Sequence, residues 1–551
     1  MRRTLILLVA TFIPLAFVFS PLLHDGFFPT MDDVQVVRIE EMYKELASGQ
    51  FPARMVSDLG NGAGYMLFQF YSPLVYYIGA LLYFLGFTLV ISTKLTFLSG
   101  FILAWIGIVL LLREYVDEYS TFFGAILFFS SSYLGYDIYH RGALAEFYNL
   151  AILPLLFFTI VKLSQTSSKL YFLASSLTIA ALILIHNLTA LITFPFLLIT
   201  VLLLFKKNLI YGLGSLFLGV TLSAFYWLPV ALEQKFIIVG QVDFVINSYK
   251  SNFLSLPQLI GFQKAPWGFI APMLGVSLFI GSLSSVLLLL VNRKLHFAKK
   301  LPSNFLVFSV ISFFITLFMA SSTGKIAWDP ILPILRFVQF PWRFLTLATF
   351  FGAISCAFFL SQIKLLPLKI FLGVLLLIPL FTVQYNYLRP TEYNYVSKYT
   401  ADDPCGTTGW GSEFLPIWAK ECHPKGSRLE PINIIDGEIE IKNLEIKDHT
   451  RLYNFLATGE GTIFFDKYYF PGWQITIDNR PYPLLISNPH GYIAVNVPKG
   501  EHQVSLFFSN TPARIIANTI TISGILVSLF IFFNYTWSNY KKCRIINRYL
   551  P

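Results

Sequence analysis

Residues 4–23, TLILLVATFIPLAFVFSPLL, run without a charged side chain between Arg2-Arg3 and His24-Asp25. At a rise of about 1.5 Å per residue the run is long enough to cross the hydrocarbon core of a bilayer. Similar runs recur near 92–112, 120–136, 147–163, 170–187, 188–205, 209–229, 269–291, 303–320, 343–361, 367–385 and 513–533. The 551 residues are 55% hydrophobic with 56 Phe and 13% charged side chains, and their mean hydropathy is +0.64. This is a polytopic membrane composition, which excludes a disordered chain, a disulfide-scaffold secreted domain and a single-anchor enzyme. No small-x-small cleavage site precedes His24, so the first run is expected to be an uncleaved span.

Charge parity orders these twelve expected spans. Every second connection carries a basic cluster: Arg2-Arg3, Arg113, Lys162 with Lys169, Lys206-Lys207, Arg293 to Lys300, Lys364 with Lys369, and Lys541 to Arg548. The positive-inside bias places these connections and both termini in the cytoplasm. The net charge of +10 lies in these short clusters between apolar runs, so lipid headgroups rather than nucleic acid are the expected partners. Counting the apolar stretch 73–90 as a span would break the parity, so it reads as a re-entrant or interfacial helix bounded by Tyr71-Ser72-Pro73 and Gly86.

Three regions follow: a transmembrane domain over 1–385 with a first outer loop at 24–91, an outer domain over 386–511, and a last span with a basic tail over 512–551. The outer domain reads as an antiparallel β-sandwich. Strands are expected around Glu438 to Ile441, Gly461 to Tyr469 and Gln503 to Phe508, with turns at Pro471-Gly472, Asp478-Asn479 and Lys499-Gly500. Of the four cysteines, Cys356 falls in a span and Cys543 in the tail, leaving Cys405 and Cys422 in the oxidising compartment as the expected structural disulfide.

Polar chemistry collects on the outer face. The first loop carries Asp32, Asp33, Arg38, Glu41, Arg54 and Asp58; the second carries Asp137, His140, Arg141 and Glu146; later outer ends add His186-Asn187, Glu233, Arg336 and Arg343. Charge held against a membrane is costly, so a cluster confined to one face needs a function. Asp32 and Asp33 suit a general base that meets an acceptor hydroxyl beside a lipid-borne donor, although either could instead cap the helix that follows. Arg54, Arg141 and Arg343 are the phosphate candidates, because a guanidinium fork matches a lipid phosphate.

Residues 33–48 alternate apolar and charged positions as an amphipathic helix lying on the membrane surface. The Gly60-Asn61-Gly62-Ala63-Gly64-Tyr65 loop is either a tight turn or a cradle for a phosphate or sugar. Trp410, Trp418 and Trp473 are either core residues or platforms for sugar rings. Zinc is not expected, since the eight histidines form no HxH or HExxH pattern and no CxxC occurs. No metal ligands are assigned, and an oxygen-ligated divalent cation such as Mg or Mn stays open because such sites leave no spacing signature.

The stretches Pro29-Thr30-Met31-Asp32, Gly49 to Arg54, Asp58-Leu59-Gly60, Gly62 to Tyr65 and Phe70 to Tyr77 resemble the first outer loop of the membrane family labelled 6-pyruvoyl-tetrahydropterin synthase-related. Arg141 to Glu146, His186-Asn187, Ala224 to Pro229 and Phe340 to Phe344 extend the resemblance, and Tyr469 to Trp473 with Val497 to His502 is similar to the outer domain of YfhO-type proteins. Both groups resemble GT-C glycosyltransferases, which implies a sugar transfer from a polyprenyl-phosphate carrier on the outer face; an inverting course and a glycan, lipid or protein acceptor are the expectation that goes with it. The resemblance implies Asp32 as the catalytic position, and the outer-face residues add Asp33 beside it and Glu146, His140, His186, Asn187, Tyr71 and Tyr76 as expected substrate-binding positions. Met31 stands where the family has histidine, so no imidazole role carries over. Pterin chemistry would need clustered histidines that this sequence lacks. The competing readings are a transporter or flippase of lipid-linked saccharide and an inactive assembly factor.

Overall fold

The computed structural model describes residues 2–263, 270–295, 304–382, 384–393, 405–426, 430–447 and 452–548. Part of the basic stretch from Arg293 to Lys300 lies outside the described residues.

Each expected apolar run contains a helix among the described residues, and the helices divide by length. Among the described residues six are long and apolar enough to cross a membrane: Leu5–Leu23, Leu89–Leu112, Leu144–Thr166, Asn187–Leu204, Pro341–Ser361 and Pro512–Trp537. A seventh would be the pair Leu209–Leu222 and Ala224–Phe236, bent by 69°. Others, such as Glu118–Phe129, Lys169–Ile185 and Asn304–Ala320, are shorter apolar helices. Helices Leu144–Thr166 and Pro341–Ser361 are the centre of the bundle, each 89% buried, whereas Pro512–Trp537 is 17% buried and faces outward.

Ion pairs sort the helix ends into two groups. Lys162 meets Glu114 at 3.3 Å and Lys369 meets Asp117 at 2.7 Å at one end. At the other end lie the contacts among Asp32, Arg141, Glu146 and Arg343 described below. Within each group the residues that touch are ones that charge parity assigns to a common side.

The apolar stretch 73–90 is two elements. Helix Leu74–Phe84 ends before Gly86, whose φ is +97°, and Thr88 then caps Leu89–Leu112 by accepting from Ile91 N at 3.3 Å. Eleven residues reach about 16 Å, roughly half a bilayer core, so this helix is too short to cross alone. The expected amphipathic helix is Gln35–Ala47, but its apolar face packs against protein. Ile39 and Met42 are fully buried, with Ile39 against Gly79 of helix Leu74–Phe84, and Gln35, Arg38, Glu41 and Glu45 are buried on the same helix.

The outer domain corrects the sandwich expectation. Its six strands, β1 (Ile432–Lys447), β2 (Leu452–Tyr468), β3 (Trp473–Ile477), β4 (Arg480–Tyr482), β5 (Leu485–Ser487) and β6 (Tyr492–Phe508), form one antiparallel sheet among the described residues. The order is β1-β2-β6-β3-β4, with β5 also on β6. Side chains alternate along β2, and Phe455, Ile463 and Phe465 fill the covered face with Val504 and Leu506 of β6. Asp478-Asn479 is the β3–β4 turn, both residues at positive φ as a two-residue hairpin requires. Lys499-Gly500 is not a turn: it lies inside β6 at the register shift opposite Gly459 and Gly461. Cys405 and Cys422 are joined in a disulfide.

Candidate active site

The first and second outer loops are stitched together by their backbones. Met31 N donates to His140 O at 2.9 Å and Asp32 N to Arg141 O at 2.7 Å. Glycine is required at 142, where φ is +70° and a Cβ would come within 2.4 Å of Thr30 Oγ1. Arg141 N reaches back five residues to Tyr136 O at 2.8 Å, and this wide turn aims the Arg141 side chain inward.

Arg141 then faces three carboxylates. Nε lies 3.5 Å from Asp32 Oδ2, Nη1 lies 3.7 Å from Asp137 Oδ1, and Nη1 also donates to Glu146 Oε2. Glu146 Oε1 accepts from Arg343 Nε at 2.5 Å, and Arg343 Nη1 donates to Val338 O at 2.5 Å and Gln339 Oε1 at 3.2 Å. Phe340 packs beneath both guanidiniums, at 5.4 and 5.0 Å from its centroid. His186 Nε2 lies 3.9 Å from Glu146 Oε1, and its Nδ1 accepts from Thr189 N at 3.3 Å. The Asp137 carboxyl is fully buried and neither oxygen has a hydrogen-bond partner; burial, reinforced by Glu146, pushes its pKa far above the usual carboxylate range.

Asp32 opens onto a cavity of about 370 Å³, within the range of small-molecule sites. Its walls include Arg141, Arg343, Tyr71, Tyr136, Phe340 and Trp342, with Arg38 from helix Gln35–Ala47 and Thr408, Gly409 and Glu413 from the outer region. Arg38 is held by Thr408 O, by Thr408 Oγ1 at 3.1 Å and by Tyr76 OH at 3.2 Å, with its guanidinium 4.1 Å from the Tyr71 ring centroid. Tyr76 OH donates in turn to Gln35 Oε1 at 2.9 Å.

The sequence candidates therefore divide. Asp32, Arg141, Arg343 and Tyr71 line the cavity; Glu146, His186 and Tyr76 support the lining residues from behind. Asp33 is buried and is not a cavity wall, nor does it cap the helix, whose N-cap is Val34. His140 bonds Asn386 O at 2.9 Å, and Asn187 N donates to Ser72 Oγ at 3.0 Å; neither lines the cavity. Arg54 lies apart, donating to Gln69 Oε1 at 2.6 Å, Phe225 O at 3.1 Å and Asn518 Oδ1 at 3.2 Å, and burial beside Arg514 brings its pKa down to about 10. It fastens the first loop to the last helix. Trp473 is buried in the sheet core, Trp418 stacks on Phe236, and the Trp410 side chain lies outside the described residues.

The Gly-rich loop docks the outer domain. Gly60 N donates to Gly406 O at 3.0 Å, Tyr468 N to Ala63 O at 2.9 Å, Lys467 Nζ to Gly62 O at 2.5 Å and Asn61 Nδ2 to His423 O at 2.7 Å. Among the described residues, no group of three or more His, Cys, Asp and Glu side chains is arranged to hold a metal. Asp32, Asp137 and Glu146 all face Arg141 instead.

Residues 68–387 match the family model of the 6-pyruvoyl-tetrahydropterin synthase related domain, a membrane protein family. The chain belongs to this family. The match covers more than half of the chain and includes the helices that carry Arg141, Glu146, His186 and Arg343. No curated protein matches the sequence. Among solved structures, this family member is similar to the arabinofuranosyltransferase AftD from Mycobacteria, at 15% identity and a TM-score of 0.44 over 72% of this chain and 28% of that one. A mutant form of AftD aligns at 14% identity with a TM-score of 0.45, over 72% and 29% of the two chains. The Archaeoglobus fulgidus oligosaccharyltransferase aligns at 13% identity with a TM-score of 0.42, over 72% and 57%. The chain thus spans less than a third of the length of AftD.

Proposed function

We propose that the protein is a GT-C-type membrane glycosyltransferase that takes a sugar from a polyprenyl-phosphate-linked donor and passes it to a glycan, lipid or protein acceptor. One observation carries the reading. Of the three carboxylates around Arg141, only Asp32 is open: its side chain is 26% exposed, against 0% for Asp137 and 2% for Glu146. A buried arginine thus fixes a solvent-facing carboxylate at the wall of a cavity, the placement a general base requires.

In the proposed reaction the acceptor hydroxyl oxygen attacks the anomeric carbon, the bond from that carbon to the phosphate oxygen breaks, and the phosphate departs with the electron pair. Asp32 takes the hydroxyl proton. Guanidinium groups on the cavity wall stabilise the charge that builds on the departing phosphate. Attack opposite the leaving group inverts the sugar. Twelve membrane crossings, cytoplasmic termini and an outward-facing cavity complete the proposal; an impermeant thiol reagent applied to intact cells should label a single cysteine placed at Met31.

The test is Asp32→Asn in the full chain reconstituted in nanodiscs with a panel of polyprenyl-phosphate sugars and isolated envelope glycan as acceptor. Transfer should fall by at least about a hundredfold, the scale of general-base catalysis, while prenyl phosphate binding stays. Transfer unchanged in this variant overturns the assignment.

A further inference from the structure

The three arginines on the cavity wall differ in what balances them. Arg141 and Arg343 are paired with Asp32, Asp137 and Glu146. The buried Arg514 is likewise paired, with Glu233 at 2.9 Å. Arg38 is 4% exposed and, among the described residues, has no carboxylate within 4.0 Å. Its partners are neutral: a backbone carbonyl, a threonine hydroxyl, a tyrosine hydroxyl and two aromatic rings. Arg54 also has neutral partners, but it does not line the cavity.

An unpaired buried charge costs several kcal/mol, and an anion delivered to it recovers that cost. A guanidinium carries five N–H groups. Three contacts to Thr408 and Tyr76 leave donors to spare, and Tyr71 beneath the plane fixes its direction. Among the described residues no cavity acid forms an ion pair with it. Asp32 is turned to Arg141, and Glu413, the acid whose charge Arg38 feels most, stands beyond ion-pair distance.

We infer that Arg38 is the anion anchor of this cavity, receiving the phosphate of a phosphate ester, and that Thr408, which reaches it from the outer region, is its positioning residue. The inference rests on the glycosyltransferase reading for the source of the phosphate, a lipid-linked headgroup, and on the geometry alone for the phosphate itself. Arg141 and Arg343 then act as a prepaired clamp that fixes Asp32 rather than as the first phosphate ligands. Glu413, on the same wall, opposes the anion and limits its affinity.

The test uses the full chain in nanodiscs and three probes: geranylgeranyl phosphate, inorganic phosphate and uncharged geranylgeraniol. Arg38→Gln should weaken geranylgeranyl phosphate binding by at least about tenfold, the scale of a lost charge-assisted bond, and leave geranylgeraniol binding alone. Arg38→Lys, which keeps the charge and loses the fork, should fall between. Thr408→Ala should weaken phosphate binding less than Arg38→Gln, and Glu413→Gln should tighten it, a gain that misfolding cannot produce. Equal geranylgeranyl phosphate binding by wild type and Arg38→Gln, with no gain in Glu413→Gln, overturns the inference and leaves the glycosyltransferase reading standing. Arg38-dependent binding of inorganic phosphate without binding of the prenyl ester supports the anchor and overturns the lipid-linked donor. Binding of neither phosphate by the wild type overturns both.

Discussion

Glu146 and Arg343 stand 197 residues apart in the chain and meet at 2.5 Å, both buried, with the other oxygen of Glu146 taken by Arg141. One carboxylate thereby joins the start of helix Leu144–Thr166 to the start of helix Leu345–Ser361, the two segments at the centre of the bundle. Position 146 is where the transmembrane domain and the cavity share a side chain.

Removing that charge should cost more than removing its neighbour's. Glu146→Gln removes the carboxylate that two buried guanidiniums share, and breaking a buried ion pair from one side costs about 3–5 kcal/mol. Asp137→Asn at the adjacent buried site should cost about 1 kcal/mol or less, because the Asp137 carboxyl makes no hydrogen bond among the described residues and burial pushes it toward its neutral form. Thermal melts of both variants in the same detergent check the ranking. Equal losses would mean that Asp137 is ionised.

The junction of the two outer loops gives a steric prediction. Gly142→Ala meets both a left-handed backbone, costing about 1–2 kcal/mol for a side chain, and the Thr30 hydroxyl at 2.4 Å from the new Cβ. Thr30→Ala should be mild alone and should recover only the steric part when combined with Gly142→Ala. A double-mutant cycle on melting temperature separates the two contributions. Strict additivity would place Thr30 outside the contact.

Much of this arrangement is legible in the residues. Apolar run length locates the helices, and an acid or arginine at an apolar helix start, as at Glu146 and Arg343, signals a side chain that must find a partner inside. Arg38 was legible only as part of an alternating pattern. A 3.6-residue period says that Gln35, Arg38 and Met42 share a face, but not that helix Leu74–Phe84 and the 405–414 segment cover that face. Thr408 carries no local signal, since its role exists only where the outer domain folds back on the first loop. Lys499-Gly500 misled for a related reason: a glycine at positive φ serves a bulge as well as a turn, and the partner strand decides which. Arg54 and Arg141 look alike as charges in outer loops, and only packing separates a fastener from a cavity wall.

The disulfide should matter to the cavity as well as to the outer domain. Cys405 and Cys422 close the segment that carries Thr408 to Arg38 and places Phe414 N 3.1 Å from Tyr65 OH. Replacing both cysteines by serine should cost about 2–5 kcal/mol and expose the 405–422 segment to protease under conditions where the bundle stays intact. Mass spectrometry of limited digests reads the nick directly. A segment that stays protected would show that its docking on Gly60 and Tyr65 holds it without the bridge.

Glu41 should make helix Gln35–Ala47 sensitive to pH. Its side chain is buried, and burial lifts its pKa from the usual carboxylate range to about 7, although Lys44 Nζ at 2.8 Å pulls the other way. A folded-state pKa above the unfolded one means that the folded protein binds the proton more tightly. The contribution to stability is then complete below about pH 4.5 and is lost as pH rises through 7. At roughly 1.4 kcal/mol per unit the ceiling over that window is about 3 kcal/mol, reduced by the part of the carboxylate that solvent reaches. Glu41→Gln should remove this slope and melt above the wild type at pH 8, with little difference between the two at pH 4.5. Lys44 keeps Asp58 at 2.8 Å and Glu40 at 3.6 Å in the variant, so its charge stays compensated. Melting curves at pH 4.5, 6 and 8 decide the matter: a variant that destabilises most at high pH would show that the Lys44 pair outweighs burial at this position.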